Sequence, residues 1–327
     1  MSGLTDRVPE LPADRLLAGF VPPRHFADAT FATYLPDADH PSQAAALARV
    51  RAVAAAVTAP RRRFARRATP QAVYLDGGFG VGKTHLLAAL CHAVGPERAA
   101  FGTFVEYTHL VGALGFPAAA HELARRSVVC IDEFELDDPG DTLLMARLLR
   151  ELSDAGVHLA ATSNTLPESL GEGRFAAEDF RREIHALAER FDVVRIDGPD
   201  YRHRLAPRAA SGAPDAEVRA AVVGRADATL DDFAPLLAHL RRVHPVRYGA
   251  LLDGVALAGI TGVAPLADQA DALRLVVLVD RLYDRDVTVR LGGCGTDGLF
   301  TEAMLRGGYR KKYLRALSRL GELTGRP

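Results

Sequence analysis

A chain of 327 residues with 48% hydrophobic and 25% charged residues is long enough for one large domain and a smaller accessory one. Its formal net charge of −1 gives no global argument for nucleic acid or a membrane surface, and no apolar run approaches membrane-spanning length. The opening residues, Met1-Ser2-Gly3-Leu4-Thr5-Asp6, lack the basic-then-apolar order of an export signal, and the scattered Cys91, Cys130 and Cys294 set up no disulfide framework or metal knuckle, so a reducing cytoplasm is the expected location.

Residues 1–69 read as a mainly helical, alanine-rich segment. Phe31-Ala32-Thr33-Tyr34-Leu35-Pro36 is a short aromatic stretch ahead of a helix from Ser42 to Val57, with Ser42 as its expected N-cap. The basic cluster Arg61-Arg62-Arg63-Phe64-Ala65-Arg66-Arg67 is either a solvated linker or a contact for nucleic acid, acidic lipid or a partner.

From residue 70 to about 205, strands and helices alternate, which is the pattern of an α/β fold with a parallel sheet flanked by helices. The expected strands are Ala72–Leu75, Phe101–Tyr107, Ser127–Ile131, Val157–Thr162 and Val193–Ile196. The expected helices are Thr84–Leu90, Thr108–Leu114, Asp141–Asp154 and Glu178–Arg190. Residues 206–225 read as a linker rich in Ala, Gly, Pro and Arg. The C-terminal accessory region, 206–327, then carries a helix from Leu230 to Arg242, apolar runs near 255–260 and 275–279, and a basic helix from Tyr309 to Leu323. Leu149, Leu152, Asp154, Val157 and Leu159 echo Val279, Leu282, Asp284, Val287 and Val289 at a constant offset. The echo is either a second, degenerate strand-helix-strand unit without acids or the resemblance of any amphipathic helix feeding a strand.

The chemistry concentrates in Gly77-Gly78-Phe79-Gly80-Val81-Gly82-Lys83-Thr84, which fits G-x-x-x-x-G-K-[ST] between a strand and a helix. Such a loop turns backbone N–H groups inward around phosphates and sets them at a helix N-terminus. The expected nucleotide-binding stretch runs from Gly77 to His85, with Lys83 reaching the terminal phosphates of ATP and Thr84 ligating Mg²⁺. Only three lysines occur, Lys83, Lys311 and Lys312, so a lysine where a compact point charge is needed stands out. Four apolar residues precede Asp132-Glu133. Asp132 is the expected second magnesium residue, and Glu133 the base that polarises the attacking water. In Ala161-Thr162-Ser163-Asn164, Asn164 ends a buried strand where an amide orients that water; the competing reading is a turn former.

These elements in this order resemble the AAA+ ATPases, and within them the ZapE family, bacterial proteins of the division ring with mitochondrial relatives. The likeness rests on Asp132-Glu133-Phe134-Glu135-Leu136-Asp137-Asp138, on Leu148 to Val157, on Ala161 to Leu170 and on Asp197-Gly198-Pro199-Asp200-Tyr201-Arg202. Further on, Leu278 to Val287 and Tyr309 to Leu320 resemble the family's C-terminal stretches. The resemblance implies a P-loop ATPase core of AAA+ type working as a ring, a hexamer by class. It also implies an arginine finger acting across the ring interface, for which Arg174 is the first candidate and Arg181 and Arg182 the next; Arg274 is the candidate lid arginine. The implied partner is the cytokinetic machinery at the inner face of the membrane. Two departures stand beside it. The loop reads Gly-Val-Gly-Lys-Thr-His-Leu-Leu, closer to the DnaA, DnaC and IstB branch, and the phenylalanine expected soon after Arg174 falls late, at Phe180. The loop sequence and the Arg61–Arg67 cluster keep open a DnaC/IstB-like ATPase acting on a nucleic-acid complex; a second alternative is a nucleotide-gated binding module with little turnover, against which Glu133 and Asn164 stand.

Overall fold

The computed structural model describes residues 3–9, 13–59, 70–78, 80–134, 139–166, 189–199 and 211–325. They fall into two compact units: Pro12–Pro22 with Phe26–His203, and Met1–Leu11 with Pro23–His25 and Arg204–Pro327.

The first of these units is a five-stranded sheet with helices. In chain order it contains α1 (Ala13–Ala18), α2 (Pro41–Thr58), β1 (Ala72–Gly77), α3 (Lys83–Val94), β2 (Ala99–Thr103), α4 (Phe104–Leu114), α5 (Phe116–Ala124), β3 (Val128–Asp132), α6 (Pro139–Asp154), β4 (His158–Ser163) and β5 (Asp192–Ile196). The strand order is β2-β3-β4-β1-β5, and every neighbouring pair is parallel. Strands β1, β3 and β4 are buried almost throughout, as their continuous apolar runs require. On α2, the buried Ala46, Leu47, Val50, Val53, Ala54 and Val57 recur at three- and four-residue spacing and form one core with Val73 and Leu75 of β1 and Leu86, Leu87 and Leu90 of α3. Two boundaries differ from the sequence reading. The helix expected from Ser42 begins at Pro41, with His40 at the N-cap position, and Ser42 Oγ instead accepts the Asp197 N–H at 2.9 Å. Proline suits a first helical turn because no N–H is missed there. The strand expected over Phe101–Tyr107 stops at Thr103, because Thr103 and Glu106 form a reciprocal capping box that starts α4 at Phe104.

The other unit comprises α7 (Asp215–Val222), β6 (Ala228–Asp232), α8 (Phe233–Leu240), α9 (Tyr248–Leu251), β7 (Leu257–Thr261), α10 (Gln269–Asp284), β8 (Thr288–Leu291), α11 (Glu302–Arg306) and α12 (Arg310–Thr324). Its sheet is parallel in the order β6-β7-β8. The expected linker holds α7, the expected helix from Leu230 begins only after β6, and the apolar run near 275–279 is the buried face of α10. The first residues of the chain belong to this unit. Leu4 is fully buried in its core, and the buried carboxylate of Asp231 accepts the N–H groups of Leu4 (2.8 Å) and Thr5 (3.0 Å) and the Thr5 hydroxyl (2.9 Å).

The echo noted in the sequence lies within a longer parallel between the two units. Ala99 pairs with Val128 across β2 and β3, and Ala228 with Leu257 across β6 and β7, each partner 29 residues on (128 − 99; 257 − 228). Helices α4 and α8 each open on a phenylalanine directly after their strand, and α6 and α10 are both 16 residues long. Where the first unit has Asp132, Glu133 and Asn164, the second has Thr261, Gly262 and Cys294, so the acids have no counterpart.

Candidate active site

Strand β1 delivers the chain into the loop at Gly77, which together with Gly80 and Gly82 has positive φ (154°, 72° and 87°). A β-carbon on Gly77 would lie 2.2 Å from the Ile196 carbonyl oxygen, so this corner of the loop accepts only glycine. Gly78 and Val81 complete the described loop, and Val81 is buried in the core. Lys83 opens α3, and its ammonium donates to Gly77 O (2.7 Å), Gly78 O (2.6 Å) and Asn164 Oδ1 (2.8 Å). The lysine therefore draws together the loop after β1 and the end of β4.

The next residue, Thr84, places Oγ1 3.2 Å from each carboxylate oxygen of Asp132 at the end of β3. Burial, with the charge of Glu133 second, pushes the Asp132 carboxyl up to about 6 against the opposing hydrogen bonds from Thr162 and Thr84. A buried carboxylate beside a threonine hydroxyl is an all-oxygen donor pair, suited to a small hard cation such as Mg²⁺. The residues present fit that ion and, through the loop, a polyphosphate.

Glu133 has φ 51°, a left-handed backbone uncommon for a residue with a β-carbon. Its N–H donates to Thr162 Oγ1 at 3.2 Å, and the Phe134 N–H donates to Thr162 O at 2.7 Å. Thr162 also donates its hydroxyl to Asp132 Oδ1. The sequence reading picked Asn164 from this stretch and passed over Thr162, which binds both acidic residues. It also passed over Asp76, buried one residue before the loop and paired with Arg195 of β5 at 2.8 Å. Their polarity in or beside apolar strands is visible in the sequence, but the partners that give them a role come from neighbouring strands.

His85 turns its ring to residues 26–34, with Nε2 3.1 Å from Thr33 Oγ1 and 3.1 Å from Thr30 O. Arg274 stands 4.0 Å from Asp271 within α10 of the other unit. Phe79, Arg174, Arg181, Arg182 and the Arg61–Arg67 cluster lie outside the described residues.

A five-stranded parallel sheet in this order, with a glycine loop and lysine leaving β1 and acids at the end of β3, defines a P-loop NTPase. The AFG1-like ATPase family matches residues 11–222 and 206–326, and the chain belongs to that family. Among curated relatives, an uncharacterized protein of Schizosaccharomyces pombe is 33% identical over 150 residues, 41% of this chain and 33% of the relative. The cell division protein ZapE of Escherichia coli K12 is 30% identical over 160 residues, 46% of this chain and 43% of ZapE. The matched segments thus span less than half the length of these relatives. Among solved structures, domain III of the replication initiation protein DnaA from Thermotoga maritima is 20% identical over 53% of this chain and 69% of that one, with a TM-score of 0.41. The fold assignment stands on the strand order and loop. Among the described residues no helix is long and apolar enough to cross a membrane.

Proposed function

We propose that this chain hydrolyses ATP to ADP and phosphate with Mg²⁺. The observation that carries the reading is the convergence of Lys83, Thr84, Asp132, Glu133 and Asn164 at the C-terminal ends of three adjacent parallel strands, where open α/β sheets bind ligands. Backbone N–H groups of the Gly77–His85 stretch and the ammonium of Lys83 hold the phosphates. Thr84 and Asp132 would hold a magnesium ion, which would supply charge neutralisation on the phosphates. Glu133 accepts the proton of the attacking water as its oxygen bonds to the γ-phosphorus, and the bond to the bridging oxygen breaks toward ADP. Asn164 orients that water. The left-handed Glu133 backbone, tied by its N–H to Thr162, and a carboxylate beside Asp132 in sequence support turnover over mere nucleotide gating.

The protein works as a ring, a hexamer by class, with Arg174 of one protomer entering the site of the next. Its partner is a protein of the division apparatus, a reading supported by the name of the E. coli relative. ATP turnover with Mg²⁺, repeated with EDTA and with Lys83→Ala, tests the core of this account. Activity lost in both controls supports it; activity that survives Lys83→Ala contradicts it.

A further inference from the structure

The aromatic stretch Phe31–Pro36 has no role in the reading above, yet it lies against the phosphate loop. The Tyr34 hydroxyl donates to Val81 O at 3.2 Å, and Tyr34 is 7% exposed. The ring edge lies against Gly82, where an added β-carbon would come within 2.5 Å of Cε2. The rest of the segment is fastened to the helix that leaves the loop. Thr30 and Thr33 exchange N–H-to-hydroxyl bonds of 2.8 and 3.1 Å, and that turn holds His85 Nε2 in the first turn of α3. Two turns further on, His92 Nδ1 lies 2.8 Å from Ala29 O.

The consequence follows from peptide geometry. In a trans peptide the carbonyl and the next N–H point in opposite directions. Fixing Val81 O on Tyr34 therefore turns the Gly82 N–H away from Tyr34, and the φ of 87° at Gly82 lets the chain enter α3 from that orientation. A backbone N–H needs a defined direction to serve an anion.

We infer that Tyr34 is a positioning residue of the nucleotide site: its hydroxyl sets the Val81–Gly82 peptide so that the Gly82 N–H is presented to phosphate. The inference rests on the reading of Gly77–Thr84 as the phosphate loop. It also states what part of the ligand is sensed, namely the polyphosphate and not the base. Tyr34→Phe keeps the ring and removes only the hydroxyl.

The test is the Kd of Mg-ATP, and of inorganic tripolyphosphate in competition with it, for wild type, Tyr34→Phe, Tyr34→Leu and Lys83→Ala. KM and kcat are measured for the first three, with a melting curve for each. Loss of one neutral hydrogen bond predicts a Kd and KM raised roughly 3- to 10-fold in Tyr34→Phe at nearly unchanged kcat. Tyr34→Leu should lose more. The fold-loss should be the same for tripolyphosphate as for ATP, and the Tyr34→Phe melting curve should stay cooperative, with its midpoint lowered only by the loss of that one hydrogen bond. A Tyr34→Phe protein with wild-type Kd, beside a Lys83→Ala protein that does not bind, overturns the role of Tyr34 and leaves the phosphate loop standing. A loss for ATP with none for tripolyphosphate also overturns it, by moving Tyr34 to the base. Absence of ATP binding by the wild type removes the phosphate-loop reading itself.

Discussion

Across the β3–β4 pair, the hydroxyl of Thr162 donates to Asp132. The same oxygen accepts the Glu133 N–H, so one small side chain sets both acidic residues. Thr162→Val keeps the shape and removes both bonds. Burial then acts on Asp132 with less opposition, and its carboxyl rises further above about 6. The expected outcome is a kcat lowered roughly 10- to 100-fold, the range for losing an outer-shell partner of a metal site, with a weakened Mg²⁺ requirement curve and little change in nucleotide affinity. Thr162→Ser should retain most activity. Steady-state kinetics over a magnesium titration checks both.

Much of this site was legible in the sequence, because its parts are local strings whose spacing fixes their place: Gly77–Thr84 between strand and helix, and Asp132-Glu133 at a strand end. What was missed depends on contacts across the sheet. Thr162 looked like one more residue of a buried strand until β4 was set beside β3, and Asp76 needed Arg195 from β5 to explain its burial. Element boundaries were lost to local chemistry. The Thr103–Glu106 capping box turned half of an expected strand into helix. The placement of Leu4 in the core of the second unit was illegible altogether, since hydrogen bonds to Asp231 more than 220 residues away leave no local pattern.

That long-range attachment is testable. Asp231→Ala strands the buried N–H of Leu4 and should cost about 1–3 kcal/mol. Leu4→Ala empties a fully buried position and should cost about 2–5 kcal/mol. Urea denaturation followed by circular dichroism should show both losses as lowered midpoints.

The stretches Leu278–Val287 and Tyr309–Leu320 meet through Asp280, which bonds Arg315 (2.9 Å) and Arg319 (2.5 Å). Burial pushes the Asp280 carboxyl up, but Arg315, Arg319 and Arg281 outweigh it and hold it below the ordinary carboxylate value. A depressed pKa in the fold means this stabilisation is complete above the unfolded value of about 3.9 and is lost as pH falls through the folded one. Asp280→Asn should therefore lower the melting temperature clearly at pH 7. Its deficit against wild type should shrink once pH drops below about 3.9. Paired melting curves across pH check the sign.

Arg174 is proposed to act on the neighbouring protomer. Arg174→Ala should bind ATP and lose turnover, and mixing it with Lys83→Ala should restore activity, because some interfaces then combine an intact loop with an intact arginine. An intact assembly with no restored activity would transfer the role to Arg181 or Arg182.

The most direct measurement is ATP binding and ATP turnover, side by side, for wild type and Glu133→Gln across protein concentration. The account predicts wild-type turnover that rises with concentration as protomers assemble, and a mutant that binds ATP as tightly yet turns over roughly 100-fold or more slowly for want of its general base. Equal turnover in the two proteins, or tight binding with negligible turnover in both, would contradict it.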